Sequence, residues 1–327
     1  MNWAGRSLAS VCVSMSAALG AFVAQAQAQT YPTRSITMIV PFAAGGPTDV
    51  ISRIVTGHMA QTLGQSIIIE NVVGAGGTTA TTRAARAAND GYTLITGHMG
   101  THAASVPLYP SLAYHPEKDF EPVALLAGTP ILILARKDFP PKDLKEFVAY
   151  VKANETKVNA AHAGVGSVSN VSCELLNSVL GVKPVGVPFN GTGPAMNALV
   201  AGQVDYMCDQ IVNAVPQVNG GTIKAYAVAT PERNPSLPNV PTTTEAGLPA
   251  FQAQAWNALF APKGTPADVV AKLNEAVGKA LDDEGVRKRL LDLGSVIPGP
   301  ADRTPAALGT LVKNEIAKWT PVLKPVN

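Results

Sequence analysis

The stretch VPFAAGGP at residues 40–47 returns as VPFNGTGP at residues 187–194, on a shared V-P-F-x-x-x-G-P skeleton. Each copy follows an apolar run and precedes a segment of helical periodicity, so each reads as a corner where a strand hands over to a helix. A chain that makes this corner twice is held to a narrow choice: two α/β units, each with a strand entering and a helix leaving at matching places.

The pattern around the corners supports that choice. From Ser35 the chain runs SITMIVPF, a helix over 47–63 closed by Gly64, QSIIIENV, an Ala-rich helix over 78–88, and YTLIT after the turn signal NDG. This is a βαβαβ series, which implies strands lying parallel under helices. A second series follows: ILILARKD, a helix over 144–152, VNAAHAG, a helix over 168–180, KPVGVPF, a helix over 195–201, VDYMCDQ, a short helix, and IKAYAVAT. Residues 231–249 carry five prolines and little periodicity, an irregular return segment before the strand-like AWNALFAPKGTP. The tail then offers helices over 267–281, 284–293 and 305–319. At 327 residues two cores are expected.

The first 28 residues belong to neither unit. They have a lone Arg6, an apolar middle and A-x-A ends, the marks of a cleaved secretory leader. Val11 before Cys12 is bulkier than a lipid-attachment signal accepts. Removing the leader takes one Arg and no acid, so the formal charge falls from +2 to +1. Such a balance, without Lys/Arg clusters, argues against nucleic acid or an anionic membrane as partner. Cys173 and Cys208 remain, either as a bridge or as two buried thiols.

Chemistry is expected at the corners, because ligands of open parallel sheets sit beyond the carboxyl ends of the strands. Pro47 and Pro194 each suit a first helical position. The glycines beside them let a ligand approach unpaired amides at the positive end of the helix dipole. One such corner is most simply a turn; two, one per unit, point to a shared anion site. VVGAGGTT at 72–79 and HAGVGSVSN at 162–170 have the same character, with Ser167 also suited to cap a helix. GAGGTT lacks the third glycine of a dinucleotide fingerprint and the Lys of a P-loop, and AGVGSVSN is not a nucleophile elbow. His98 and His102 in GHMGTH stand four apart without a third donor, and so read as polar pocket walls rather than metal ligands. Asp209 meets a cationic ligand group or caps the next helix, and Trp256 lines the cleft or packs.

YPTRSITMIVPFAAGGPTDVISR, IIIENVVGAGGTT, AANDGYTLITG, DFEPVALLAGTPILILARKD, AGVGSVS, VPFNGTGPAMNALVAGQVD, NVPTTTEAG and WNALFAPKGTP, in that order, resemble the exported solute-binding receptors of tripartite tricarboxylate transporters, the Bug family, over essentially the whole chain after the leader. The resemblance implies an α/β, two-lobed periplasmic binding protein fold, each lobe a mostly parallel sheet flanked by helices, with a hinge between lobes. It implies a leader at 1–28, the first part of lobe 1 at 29–127, lobe 2 at 128–229, and a return segment with C-terminal helices completing lobe 1 at 230–327. The crossings are expected near 125–133 and near Val228 or Trp256.

The same resemblance implies a non-enzymatic, cofactor-free, monomeric periplasmic receptor that closes on a small mono- or dicarboxylate and delivers it to a membrane permease. By motif it places the ligand against Phe42, Ala43 and Gly46, against Gly76, Gly77 and Thr78, against Ser167, and against Phe189, Asn190 and Gly191. Many relatives carry a Ser-containing loop where this chain has GHMGTH, a departure that leaves the ligand's identity open. His98 or His102 is a candidate donor to a second carboxylate. A sensing subunit for a signalling receptor, or an exported enzyme on the same scaffold, are the alternatives.

Overall fold

The computed structural model describes residues 31–323 and 325; the leader and Cys12 lie outside the described residues. β1 (Ile36–Val40), α1 (Pro47–Leu63), β2 (Ile67–Asn71), α2 (Thr78–Ala85), β3 (Thr93–His98) and the short α3 (Ser105–Leu108) open the chain, followed by a long β4 (Phe120–Arg136). The second series is α4 (Leu144–Ala153), β5 (Asn159–His162), α5 (Val168–Leu180), β6 (Val185–Pro188), α6 (Thr192–Val200), β7 (Tyr206–Gln210), α7 (Ile211–Asn219) and β8 (Ile223–Val228). β9 (Gln254–Pro262), α8 (Ala267–Asp282), α9 (Glu284–Asp292) and α10 (Pro305–Trp319) complete it. None of the described helices is long and apolar enough to cross a membrane.

The strands are ordered β2-β1-β3-β9-β4-β7-β5-β6, with β8 also on β4. The outer strands are parallel: β1 with β2 and β3, β5 with β6 and β7. β9 and β4 run antiparallel to their neighbours and join the two halves. β4 pairs with β9 from Phe120 to Pro130 and with β7 from Ile131 to Ala135. The chain therefore changes lobe inside one strand, at Pro130–Ile131, where the proline cannot donate to a ladder. The fold is two-lobed, with mixed rather than purely parallel sheets.

The apolar residues do not divide by lobe as two cores would suggest. They divide by face of the sheet. Leu132 and Leu134 of β4 join Met38, Leu94, and the apolar sides of α1, α6 and α8, whereas Ile131, Ile133 and Ala135 join Ile39, Ile95, and those of α5 and α10. The cause is the period of two along a strand: neighbouring residues of β4 face opposite layers, and each layer passes across the lobe junction.

Several helix limits follow from local chemistry. Pro47 occupies N1 of α1 behind the N-cap Gly46, and Gly64 ends the helix in the left-handed conformation at φ 68°. Ser167 caps α5 by accepting from the Asn170 amide at 3.2 Å. α6 begins earlier than its sequence suggests, with Gly191 as N-cap and Thr192 at N1, so Pro194 sits at N3. That position is still within the first turn, whose amides have no carbonyl to bond inside the helix, so proline costs little there.

Candidate functional site

The β1–α1 corner is tied down from beneath by Asp49 in the first turn of α1. Its carboxylate accepts from the Gly45 amide (3.0 Å), Asn71 Nδ2 (2.9 Å) and Arg53 Nε (2.9 Å), and Asn71 Nδ2 also reaches the Phe42 carbonyl at 2.9 Å. Burial alone would raise the Asp49 carboxyl, but the bonds from Arg53, Gly45 and Asn71 outweigh it and hold the group below its ordinary value. The β5–α5 corner is built in a similar manner: Asn170 Oδ1 accepts from the Gly166 amide at 3.0 Å, and Ser169 Oγ accepts from the Ala163 amide at 2.9 Å.

The two V-P-F corners face each other. The Ala43 amide donates to the Asn190 carbonyl at 3.0 Å across the lobes. A Cβ on Gly193 would lie 2.9 Å from the Ala44 carbonyl oxygen, and one on Gly46 would lie 3.2 Å from Thr192 Oγ1. On the other rim, Tyr109 donates to the Val165 carbonyl at 2.7 Å. There Gly76, at φ 61°, lies so close that a Cβ would come within 1.8 Å of that oxygen. At both rims, main chain comes close to main chain, with the Tyr109 and Thr192 side chains beside it.

Between the rims the lobes enclose a cavity lined on one side by Phe42, Gly46, Pro47, Thr48, Asp49 and His98, and on the other by Ala163, Ser167, Val168, Ser169, Thr192 and Gln210. The N-termini of α1, α5 and α6 converge on it, bringing unpaired amides and the positive ends of three dipoles. Among the described residues no Lys or Arg lines it; its one acid, Asp49, is paired with Arg53 at 2.9 Å. The space open to the centre of a water molecule is about 20 Å³, little above the roughly 10–15 Å³ that one water requires.

His98 ends β3 on the cavity wall, 1% exposed and stacked on Phe42 with ring centres 5.1 Å apart. Its Nδ1 accepts from the Gly100 amide at 2.9 Å and the Thr101 amide at 3.3 Å. Burial drives its pKa down to about 3, so the ring is neutral, and two amides on Nδ1 place its proton on Nε2. His98 therefore offers a fixed, uncharged N–H donor. His102 is different. It stacks face to face on Phe260 at 3.9 Å in an aromatic cluster with Phe120 and Tyr114, and it does not line the cavity.

The remaining residues that the sequence singled out fall in three places. Phe42, Gly46 and Ser167 are cavity wall. Ala43, Asn190 and Gly191 form the first rim, with Phe189 beside Gly76 in a surface groove at the lobe junction. Gly77 packs under Phe42, 3.1 Å from its ring to a notional Cβ, and Thr78 turns away to bond the Ala75 carbonyl at 2.9 Å. Asp209 is fully buried behind Gln210, accepting from the Gln210 amide at 2.8 Å and Asn213 Nδ2 at 2.6 Å. With no cation beside it, burial pushes its carboxyl up to about 7 against those hydrogen bonds. It neither reaches the cavity nor caps α7. Trp256 packs within the apolar layer of α5 and α10. Cys173 and Cys208 are buried and unbridged, with the Cys208 amide 3.0 Å from Cys173 Sγ.

Sequence reasoning missed Thr192 and Gln210. Thr192 carried a signal, a hydroxyl residue in the first turn of a helix at a glycine-rich corner. Gln210 carried none, because its place depends on partners far away along the chain.

Comparison with known proteins places the chain in a family. The profile of the tripartite tricarboxylate transporter family receptor matches residues 51–327. The chain is 43% identical over 313 residues to the UPF0065 protein in the TAR-I ttuE-ttuC' intergenic region of Agrobacterium vitis, covering 96% of this chain and 90% of that one. Among solved structures it is similar to MatC of Rhodopseudomonas palustris with bound malate, with 61% identity, a TM-score of 0.88 and coverage of 89% of this chain and 99% of that one. It is also similar to the periplasmic binding protein BugD, with 40% identity, a TM-score of 0.87 and coverage of 90% and 100%. The chain belongs to the receptors of the tripartite tricarboxylate transporter family.

Proposed function

We propose that this chain is an exported, periplasmic receptor that captures a small mono- or dicarboxylate between its lobes and delivers it to a membrane permease of the tripartite type. It is a binding protein, not an enzyme. The observation that carries the reading is the convergence of three helix N-termini from opposing lobes on one enclosed cavity without a cationic side chain. Such a wall stabilises an anion through amides and hydroxyls alone. Malate in MatC supports a carboxylate as the occupant.

Neither lobe by itself presents enough donors to replace a carboxylate's water, so binding favours the closed arrangement. The first carboxylate sits against the amides at Gly46, Thr48 and Ser169 and the hydroxyls of Ser167 and Thr192. His98 Nε2 donates to a second polar group of the solute. Phe42 forms the wall beside it, while Ala43, Asn190 and Gly191 hold the rim. Gly76 and Gly77 shape the opposite rim. Hinge motion is carried by β4 and β9, with lobe 1 at 29–127 and 230–327 and lobe 2 at 128–229, residues 128–130 of β4 being the hinge ahead of the crossing at Pro130–Ile131. The receptor works as a monomer.

The test is a thermal-shift screen of the leaderless protein against mono-, di- and tricarboxylates, aromatic acids and acidic amino acids. A small carboxylate is expected to raise the melting temperature, since a ligand of the folded form alone stabilises it by mass action. Small-angle scattering with that ligand should show a reduced radius of gyration. A screen in which no carboxylate moves the melting point defeats the reading.

A further inference from the structure

Gln210 is the last residue of β7, 4% exposed, and it lines the cavity. Its amide oxygen is occupied twice. Thr129 Oγ1 donates to Oε1 at 2.7 Å, and Asn257 Nδ2 donates to the same atom at 2.9 Å. Asn257 is oriented in turn, because its Oδ1 accepts from Thr48 Oγ1 at 3.1 Å. All four side chains are buried. An amide oxygen has two lone pairs, so both are used, and the NH2 group is turned to the opposite side. Among the described residues no protein acceptor meets that NH2, and it is not one of the fully buried polar atoms left unpaired, so it keeps access to the cavity that Gln210 lines. A donor placed there is open to an acceptor on a bound solute.

The anchors of this amide are not ordinary wall residues. Thr129 lies on β4 next to the change of lobe at Pro130–Ile131, and Asn257 lies on β9, paired with His98 on one side and Ala127 on the other. The oxygen of Gln210 is thus held by both strands that join the lobes, and through Thr48 by the N-terminal turn of α1.

We propose that Gln210 is a direct ligand-binding residue, whose NH2 donates to an oxygen of the bound solute, and that Asn257 and Thr129 are positioning residues that set its direction from the hinge strands. The inference rests on the carboxylate reading and adds a lobe 2 side-chain donor facing the His98 donor of lobe 1. A solute bonded to Gln210 is connected by one amide to the hinge, so its binding and the setting of the lobes are read by the same group.

The experiment is a calorimetric titration, at pH 8, of the leaderless protein and of Gln210→Glu, Gln210→Met and Asn257→Asp with succinate, malate and adipate, with melting temperatures measured alongside. Gln210→Met keeps the volume and removes the donor. It is expected to weaken the best ligand by about 10- to 100-fold, the usual effect of losing a hydrogen bond to a charged group. Gln210→Glu turns a carboxylate oxygen toward the solute and should weaken binding further. Asn257→Asp cannot donate to the glutamine oxygen when ionised, so the amide reverses and affinity falls without any change in a cavity-lining residue.

If Gln210→Met and Gln210→Glu bind within twofold of the parent, the assignment is overturned. It is overturned equally if Gln210→Glu binds more tightly, because the amide chain then runs the other way with a carbonyl facing the cavity. A parent protein that binds none of the three acids refutes the carboxylate reading instead. In that case the solute co-purifying with each protein is quantified by mass spectrometry, and equal retention by parent and Gln210→Met overturns the Gln210 assignment as well.

Discussion

The two V-P-F corners are written with nearly the same residues and are built differently. At the first, Gly46 caps the helix, Pro47 takes N1, and Asp49 fastens the turn to Arg53, Asn71 and the Gly45 amide. At the second, Gly191 caps, the proline falls at N3, and the nearest acid, Asp209, backs the corner through the Thr192 side chain and through Asn213, whose Nδ2 also donates to the Thr192 carbonyl at 3.0 Å. The first corner is braced, with Gly46 to Asp49 buried behind an exposed tip at Ala44 and Gly45; the second follows an edge strand with exposed residues. A shared skeleton therefore specifies a strand-to-helix turn, while the neighbours decide which atoms reach the cavity.

The sharpest break of this comparison is removal of the brace. Asp49→Ala leaves three donors without their acceptor and is expected to cost about 2–4 kcal/mol of stability, reduced from the buried-pair range because Arg53 is half exposed. Urea unfolding measures it. Because the folded-state pKa of Asp49 is lowered, its contribution is complete above the unfolded value near 4 and is lost as pH falls through the folded one. An unaltered urea midpoint would mean that the first corner holds without its brace.

Next in size is Gly193→Ala. Gly193 lies inside α6 and outside the left-handed region, so the new methyl meets no backbone strain of its own, but it lands 2.9 Å from the Ala44 oxygen and 3.2 Å from the Gly45 carbonyl carbon. Main chain cannot swing aside, so the lobes should stop short of closure and ligand affinity should fall by about 10- to 100-fold with little change in unliganded stability. Gly45→Ala sharpens the contrast. A Cβ there meets nothing within 4 Å, and φ is +85°, so it should cost about 1–2 kcal/mol of stability with closure intact. Calorimetry paired with urea unfolding separates the two.

The last contrast, read as a slope per pH unit, concerns the two acids. The folded pKa of Asp209 is raised to about 7, so the folded protein binds the extra proton and stability should decline as pH rises from about 4 to about 7, with a slope of at most ~1.4 kcal/mol per unit. Asp209→Asn should flatten that slope, whereas Asp49→Asn should alter only the acid limb below about 4. Equal pH profiles for the two variants would erase the distinction between the corners.

Much of the fold was legible in the sequence because capping chemistry is local. The extents of α1, α5 and α10 follow from Pro47 and Gly64, Ser167 and Gly181, and Thr304 with Pro305. β4 was not legible as one strand, since Pro122, Gly128 and Pro130 punctuate it, and its pairing with β9, then with β7 and β8, keeps it extended. Nor did spacing separate His98 from His102. Their difference is tertiary: one ring meets Phe42 at the cavity and the other meets Phe260 behind it. Gln210 was invisible for a similar reason, because residues 81 and 47 positions away along the chain orient it.

The contacts between the lobes at the rims are mostly carbonyls, amides and glycines, whereas the cavity-wall side chains of His98 and Gln210 stand on β3 and β7. Drift in those two side chains therefore leaves the rim surfaces untouched. One gate of this kind can be retuned, substitution by substitution, to a succession of nutrients without having to relearn how to close.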